Sequence, residues 1–327
     1  MARLLIVARG RRQDDVVWTP QPLFHLEAMS TAVVQTLLLA GSASLAAGFD
    51  GPAWFWREIR RTGATVVTML YGAQALEEIL DSAEEPGAHR LRQVVAPATS
   101  AVAEGWRRRF GVDRVGINRG YGSTEASMVT ITPDGESPPP DASGHRTPIF
   151  EVRIVDPEDR ELPPGEIGEI VWRPLFPGVM FDGYWNRPEA TVAASRNWWF
   201  HGGDLGRLDG AGWLYYAGRR SDLLEAGGRR LTLFDAEKEL LRHPAVLEVA
   251  VHEIAGLEGE LKATLTLRSR PAAEPAELYA WASARLPAEL VPRHIEVRSS
   301  LPKNATGRVL KRRLREESLP PGTWSAD

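Results

Sequence analysis

The stretch "INRGYGSTEAS", residues 117–127, follows a short apolar segment and surrounds one tyrosine with small residues. Glycine has no Cβ, so the two glycines let the backbone approach a flat ligand closely. The tyrosine can stack on a base, and the oxygens after it can reach a phosphate or a metal ion. Alone, this pattern is more often an ordinary turn. The candidate binding residues are Gly120, Tyr121, Gly122, Ser123, Thr124 and Glu125.

The segments around this stretch alternate between helical and extended patterns. Between residues 30 and 132, helical runs such as "PAWFWREIRRTG" alternate with short apolar runs such as "ATVVTML". We therefore expect an α/β layer with a parallel sheet up to about residue 136. After a Pro- and Gly-rich connection, short strands from about residue 149 are typical of a small β-barrel. A compact α+β part follows.

The composition sets limits on the class of protein. The 327 residues are 43% hydrophobic and 25% charged, which suits a globular chain with two domains. The formal net charge of -4 gives no field that attracts nucleic acid or anionic lipid. There is no cysteine for a disulfide, a thiolate metal site or a nucleophile. Because no apolar run is long enough for a signal peptide or a membrane span, we expect a cytoplasmic protein without nucleic-acid or membrane partners.

Three further motifs follow "YGSTE" in a fixed order. They are "WFHGGDLGRLD" from residue 199, "YYAGRRSD" from residue 215 and "LPKNATGR" from residue 301. Together with "PLFH" (22–25) and "GEIGEI" (165–170), this order resembles the adenylate-forming superfamily, specifically the acyl-CoA synthetases, over essentially the whole chain. Enzymes of that family first make an acyl-adenylate from a carboxylate and ATP. Their small C-terminal domain then rotates, and the thiol of coenzyme A displaces AMP.

The resemblance implies both a domain division and site residues. A truncated large domain would span residues 1–217, a hinge residues 218–222, and a small mobile domain residues 223–327. The acyl pocket would use His25, Ala96, Pro97, Ala98 and Gly120, with His25 beside the reacting carboxyl. The adenylate would contact Gly120, Tyr121, Gly122, Ser123, Thr124, Asp204 and Arg219, with Asp204 on the ribose. Coenzyme A would contact Gly227, Gly228, Arg229 and Arg230, and Glu125 would serve magnesium if that metal binds.

This chain also departs from the family pattern. No Ser/Thr/Gly-rich phosphate loop precedes "PLFH", so we expect ATP to lack the cradle for its terminal phosphates. Arg308 stands where the family has the catalytic lysine of adenylation, and a planar guanidinium does not replace a compact ammonium at a tight site. Ser221 replaces the usual Asp or Lys of the hinge, and Gly202 replaces a Thr before the ribose aspartate. The first two departures both affect adenylation.

These observations predict an acyl-CoA ligase restricted to thioester formation from a supplied acyl-adenylate and coenzyme A. Arg308 would then be idle, and Gly228 would line the channel for pantetheine. The adenylate would come from a separate ligase upstream, and bare apolar surface favours a homodimer. Divided ligases of this kind, including one of platensimycin-type terpenoid biosynthesis, resemble the chain in outline. The alternatives are a non-catalytic adenylate-binding protein and a fragment of a complete ATP-dependent synthetase.

Overall fold

The structure is a computed structural model that describes residues 1–69, 73–96, 98, 100–116, 120–132, 136, 138–226, 229–268, 272–304 and 307–326. The chain divides into two compact units. The first comprises Met1–Glu166, Ile170–Gly202 and Arg207–Tyr216. The second comprises Ile167–Glu169, Gly203–Gly206 and Ala217–Asp327.

The first unit begins with an alternation of helices and strands. Its elements are α1 (Ala2–Ala8), β1 (Val16–Thr19), α2 (Leu26–Ala28), a π-helical segment (Met29–Val34), α3 (Gln35–Leu38), β2 (Ser42–Leu45), α4 (Gly51–Thr62), β3 (Val66–Thr68), α5 (Ala73–Asp81), β4 (Gln93–Val95), α6 (Ser100–Phe110) and β5 (Arg114–Val115). The strands form one parallel sheet in the order β2-β1-β3-β4-β5. This sheet confirms the predicted parallel layer.

Helix α4 illustrates why the layer forms. Its residues Phe55, Trp56 and Ile59 recur at helical spacing and are all buried. Gly63 ends the helix with φ 66°, a left-handed conformation that costs glycine little. The buried aromatic rings meet edge to face, with Trp56 and Phe110 at 4.8 Å between ring centroids. This packing covers one face of the sheet with apolar side chains.

Most elements between Gly122 and Arg219 are short strands. The elements are β6 (Gly122–Ser123), β7 (Ser127–Met128), β8 (Thr130–Ile131), β9 (His145–Arg146), β10 (Phe150–Val155), β11 (Gly168–Pro174), α7 (Pro188–Ala194), a 3-10 turn (Arg196–Trp198), β12 (Phe200–Leu208) and β13 (Leu214–Arg219). Strands β10 to β13 form a four-stranded sheet in sequence order, and β6-β7 and β8-β9 form two-stranded sheets. Alternate residues of β10, namely Phe150, Val152 and Ile154, are buried, as expected for a sheet with one covered face.

The rest of the second unit is a compact α+β arrangement. It contains a 3-10 turn (Arg220–Asp222), β14 (Leu223–Ala226), β15 (Arg229–Thr232), α8 (Leu233–Leu241), β16 (Val246–Ile254), β17 (Leu257–Leu267), α9 (Pro275–Ser283), a 3-10 turn (Ala288–Leu290), β18 (His294–Val297), α10 (Lys311–Glu316) and β19 (Trp324–Ser325). The sheet order is β16-β17-β18-β19, with only the β17–β18 pair parallel. Helices α8 and α9 contribute Leu233, Leu240 and Leu278 to the core of this unit.

Two buried polar side chains lie within this small sheet. Lys262 is fully buried and its Nζ lies 3.0 Å from Glu296 Oε2 on the neighbouring strand. His252 is also fully buried and bonds to Thr264 and to the carbonyl of Glu253. Their polar groups are therefore satisfied inside the unit. Among the described residues, no helix has both the length and the apolar character needed to cross a membrane.

Candidate active site

The hairpin after Gly120 has no room for larger side chains. β6 pairs antiparallel with β7, so that Gly122 lies opposite Met128. A Cβ on Gly122 would fall 1.7 Å from the carbonyl oxygen of Ser127, and a Cβ on Gly120 would fall 2.7 Å from that of Thr130. Packing of the hairpin itself therefore requires glycine at both positions.

Tyr121 is held in place by its neighbours in the first unit. Its backbone N–H donates to Thr130 Oγ1 at 2.9 Å. Its buried ring lies 5.8 Å from Trp172, edge to face, and 6.0 Å from the nearly parallel ring of Tyr216. Stacking of Tyr121 on an adenine stays a prediction. The sequence did not single out Trp172 or Tyr216, because both come from strands distant along the chain.

Two hydroxyls follow Tyr121 in different environments. Ser123 Oγ is buried and has no hydrogen-bond partner within the described residues, whereas Thr124 is exposed. A buried hydroxyl without a partner is costly, so Ser123 suits a ligand oxygen. The predicted contact of these two residues with a phosphate is consistent with this placement but is not tested by it.

Glu125 contacts a residue of the "GYWNRPEAT" stretch. The Tyr184 hydroxyl donates to Glu125 Oε1 at 2.7 Å. Burial, followed by this hydrogen bond, raises the pKa of Tyr184 to about 12, so the phenol keeps its proton at neutral pH. Within the described ranges, no three His, Asp or Glu side chains are grouped to hold a metal ion. A role of Glu125 toward magnesium stays a prediction.

Trp172 accounts for glycine at position 202. The family pattern has a threonine there, before the ribose-binding aspartate. A Cβ on Gly202 would lie 2.8 Å from Trp172 Cη2 and 3.3 Å from its Cζ3. The indole ring therefore fills the space that a threonine side chain would need. Gly202 and Trp172 form a matched pair, in which the large residue accounts for the small one.

Asp204 and Arg219, which the sequence assigned to the ribose, are brought together in the second unit. They lie on β12 and β13, and Arg219 Nε is 2.9 Å from Asp204 Oδ1. Asp204 is buried, while the Arg219 side chain is 36% exposed. Nearby, the backbone N–H of Gly203 donates to Glu169 Oε1 at 3.2 Å. Glu169 belongs to "GEIGEI", where no local pattern marks it as a site residue.

The predicted hinge is anchored next to Ser221. Ser221 is exposed, and its carbonyl accepts a 2.8 Å hydrogen bond from Arg315 Nη2. The same guanidinium lies 2.8 Å from Asp222 Oδ1, and Lys311 Nζ lies 3.2 Å from Asp222 Oδ2. Lys311 also contacts Glu237 at 2.7 Å. Helix α10 thus holds the buried Asp222 by two cations, and a hinge role for Ser221 stays a prediction.

The predicted coenzyme A segment is described only in part. Gly227 and Gly228 lie outside the described residues, as does Pro97 of the predicted acyl pocket. On the flanking strands, Arg229 Nη2 lies 2.9 Å from Glu289 Oε1, and Arg230 Nη1 donates to the carbonyl of Ile167 at 3.3 Å. Both arginines therefore have protein partners in the second unit.

The remaining acyl-pocket residues occupy structural positions in the first unit. His25 caps the helix that starts at Leu26, since its Nδ1 accepts the Glu27 N–H at 3.2 Å. Ala96 is buried in the aromatic core, and Ala98 packs against that core. A contact of these residues with an acyl group stays a prediction.

Arg308 lies shortly before α10, and hydrogen bonds hold its backbone. Lys303 and Val309 form a β-bridge, and Asn304 Oδ1 accepts the Arg308 N–H at 2.9 Å. The Asn304 N–H in turn donates to the Arg308 carbonyl at 2.9 Å. The Arg308 side chain is exposed, and within the described part of the chain it forms no ion pair. These bonds fix the backbone of Arg308, and its side chain is exposed.

Comparison with curated proteins finds CoA ligases. A crotonobetaine/carnitine–CoA ligase from Citrobacter koseri is 30% identical over 312 residues, which is 93% of this chain and 59% of that protein. A long-chain-fatty-acid–CoA ligase from Escherichia coli is 29% identical over 309 residues, 93% of this chain and 54% of that protein. The chain thus spans less than two thirds of the length of these relatives.

Solved structures and family models agree with the fold. ATP-bound MatB from Rhodopseudomonas palustris superposes with a TM-score of 0.81 at 27% identity, covering 96% of this chain and 62% of that one. The O-succinylbenzoate coenzyme A synthetase MenE from Bacillus subtilis, in complex with AMP, gives 0.80 at 26%, covering 97% and 64%. Residues 2–185 match the model described as AMP-binding enzyme, and residues 235–308 match its C-terminal domain. By this match over more than half of its length, the chain belongs to the AMP-binding enzyme family, as the order of its motifs predicted.

Proposed function

We propose that this chain makes acyl-CoA and AMP from an acyl-adenylate and coenzyme A, and that it does not carry out ATP-dependent adenylation. Its similarity to CoA ligases supports the ligase chemistry. Arg308 is the single observation that carries the restriction to one half-reaction. By the resemblance of its motif, it stands where the family has the adenylation lysine, and a guanidinium is broader and more directional than an ammonium.

The proposed step needs little from the protein. The thiol sulfur bonds to the acyl carbonyl carbon, the bond from that carbon to the phosphate oxygen breaks, and the thiol proton is released to water. AMP leaves with the electron pair of the broken bond. Because the mixed anhydride is already activated, positioning of the thiol and stabilisation of charge on the leaving phosphate supply the acceleration.

The nucleotide part of this complex is supported by Asp204. An ionised carboxylate only accepts hydrogen bonds, and ribose hydroxyls donate them. Arg219, at 2.9 Å, orients Asp204 and compensates its charge where it is buried. We therefore assign Asp204 to the ribose hydroxyls and Arg219 to its support.

Other residues are assigned by resemblance and by their surroundings. The buried Ser123 hydroxyl, which has no partner among the described residues, would donate to the phosphate of the adenylate. His25 would lie beside the acyl carbonyl, and Gly228 would leave room for the pantetheine chain. None of these roles requires Arg308.

Two partners follow from this proposal. Because the chain consumes a ready-made adenylate, a separate adenylating ligase must supply it. A second copy of the chain is the other proposed partner, because exposed apolar side chains lie on the helix from Leu26 to Leu38 and on the edge strand β2. These side chains are Met29, Val34, Leu37, Leu38 and Leu45. Analytical ultracentrifugation with the Leu37→Asp variant tests the dimer, which should dissociate.

Two reactions run in parallel test the function. The 327-residue chain receives either carboxylic acid, ATP, magnesium and coenzyme A, or a pre-made acyl-adenylate and coenzyme A, over a panel of acyl groups. Mass spectrometry should detect acyl-CoA above the uncatalysed level only in the second reaction. Product from free acid and ATP would refute the restriction. Tight adenylate binding without acceleration for any acyl group would favour the non-catalytic binding protein.

A further inference from the structure

Asp222 is a buried carboxylate at the end of the short turn that follows Arg219. One of its oxygens, Oδ2, accepts the backbone N–H of Arg219 at 3.4 Å. Arg315 Nη2 donates to the other oxygen at 2.8 Å, and Lys311 Nζ lies 3.2 Å from Oδ2. A buried carboxylate is costly unless cations accompany it. Both of these cations come from helix α10, within the same unit as the turn.

Helix α10 is itself anchored to the rest of the second unit. Lys311 Nζ lies 2.7 Å from Glu237 Oε1 on α8, and that oxygen accepts the N–H of Val251 on β16 at 2.8 Å. Leu314 of α10 is fully buried, in one apolar cluster with Ala250 of β16. The two cations therefore stand on a fixed support rather than at the ends of side chains that move in solvent.

The backbone is fixed on both sides of Arg219. Before it, Gly218 has φ 102°, and a Cβ there would fall 2.9 Å from the Cβ of Phe234 on α8. After it, the carbonyl of Ser221 accepts a 2.8 Å hydrogen bond from Arg315 Nη2. Because this contact uses the backbone of residue 221, it does not depend on the serine side chain. Arg219 is thus held between α8 and α10.

These contacts lead from α10 to the carboxylate that we assign to the ribose. Arg219 Nε lies 2.9 Å from Asp204 Oδ1, and a guanidinium bonds well only in the right direction. We propose that Arg315 and Lys311 are positioning residues for the ribose of the adenylate. Through Asp222 they hold the turn, and the turn holds Arg219 against Asp204. This role rests on the proposed function, because it requires Asp204 to bind the ribose hydroxyls.

Selectivity for the ribose hydroxyls separates positioning from general stability. The 327-residue chain is titrated in a calorimeter with AMP and with 2′,3′-dideoxy-AMP. The wild type should bind AMP about 10- to 100-fold more tightly. Arg315→Met should reduce this ratio at least about fivefold and change the affinity for the dideoxy nucleotide less than about twofold. Arg312→Met, on the same helix with a side chain that is 89% exposed, should keep the wild-type ratio.

Two further variants make the test independent of a folding defect in Arg315→Met. Asp222→Asn keeps the size of the side chain but loses the charge that both cations compensate, and it should lower the ratio in the same way. In the Asp204→Ala background, Arg315→Met should alter the ratio by less than about twofold, because the carboxylate that it positions is gone.

The possible failures are distinguishable. A wild-type ratio in both Arg315→Met and Asp222→Asn, with each variant folded by circular dichroism, overturns the positioning role. Equal losses for the two nucleotides also overturn it, because they indicate a general structural effect. If the wild type itself binds AMP and dideoxy-AMP equally, Asp204 does not bind the ribose, and the assignment under the proposed function fails together with the positioning role.

Discussion

Arg219 Nε lies 2.9 Å from Asp204 Oδ1, and the carboxylate is buried while the guanidinium is partly exposed. The pair joins neighbouring strands, so the backbone fixes both partners before any ligand arrives. A buried carboxylate oriented in this way is prepared to accept hydrogen bonds from vicinal hydroxyls. This arrangement supports the proposal that Asp204 and Arg219 bind the ribose of the nucleotide.

The first prediction is that Asp204→Ala weakens binding of a non-reactive acyl-adenylate analogue about 10- to 100-fold. The variant loses hydrogen bonding to a charged acceptor, worth about 1.5–3 kcal/mol in total. Isothermal titration calorimetry measures the change, and Asp113→Asn, at an exposed position, should bind like the wild type. Unchanged affinity in Asp204→Ala would remove Asp204 from the nucleotide site.

A second prediction concerns the matched pair Gly202 and Trp172. Gly202→Thr should destabilise the protein by about 1–3 kcal/mol, because the new side chain meets the indole at 2.8 Å. Adding Trp172→Leu should recover part of that loss, with a coupling energy of at least about 1 kcal/mol. Urea unfolding of the wild type, the single variants and the double variant measures this coupling energy. Gly210→Thr is the control, because a Cβ there meets nothing within 4 Å.

If Gly202→Thr proved as stable as the wild type, the indole ring would have to move freely. The close packing of Trp172 against Phe200, at 4.9 Å between centroids, argues against such movement.

Gly228 provides a third prediction. If pantetheine passes over this residue, Gly228→Leu blocks the channel with a bulky side chain and leaves the adenylate contacts in place. Turnover with coenzyme A should be lost while calorimetric binding of the adenylate analogue persists. Gly210→Leu is the matched glycine control and should retain turnover. Full turnover in Gly228→Leu would show that the channel lies elsewhere.

His252 gives a prediction for pH dependence. Burial lowers its pKa from 6.5 to about 4, and its hydrogen bonds to the Glu253 carbonyl and to Thr264 suit the neutral ring. As the pH falls, His252 therefore binds a proton near pH 6.5 in the unfolded chain, but only near pH 4 in the folded chain. The stabilisation that comes from keeping His252 neutral is fully present above pH 6.5. It is lost as the pH falls from 6.5 toward 4.

Between pH 7 and pH 5 this loss amounts to about 2 kcal/mol at one site. The difference in unfolding free energy between these two pH values should therefore be smaller in His252→Gln than in the wild type. Urea unfolding of the wild type and of His252→Gln at both pH values provides the measurement. Parallel pH profiles of the two proteins would show that His252 does not titrate as described.

Arg308 provides a fifth prediction. Arg308→Ala should change the rate of thioester formation from a supplied adenylate by less than about twofold, because the exposed side chain takes no part in that step. Arg308→Lys in the 327-residue chain should show no ATP–pyrophosphate exchange, because residues 1–21 hold no Ser/Thr/Gly-rich stretch that could bind the terminal phosphates. Robust exchange in the lysine variant would show that the loop is dispensable. A large loss in Arg308→Ala would give Arg308 a role in thioester formation.

The parallel layer could be predicted because its signals are local. Helix α4 carries buried residues at helical spacing and ends at a glycine with positive φ. Strand β1 was not predicted, because "VVWT" lies before residue 30, where the alternating pattern begins. Its central position comes from pairing with β2 on one side and β3 on the other, which no local pattern reveals.

The candidate site could be predicted only where a motif holds its residues. Asp204 and Arg219 were assigned from their motifs, and the fold places them in contact. Trp172, Tyr216 and Glu169 were missed, because their proximity to the motifs depends on strand pairing.

The most direct test of the central claim is the initial rate of acyl-CoA formation from one pre-made acyl-adenylate and coenzyme A. The 327-residue chain should exceed the uncatalysed rate by at least about 100-fold for its preferred acyl group, a modest acceleration for an enzyme. Under the same conditions Asp204→Ala should fall well below the wild type. A wild-type rate equal to the uncatalysed rate for every acyl group would contradict the account.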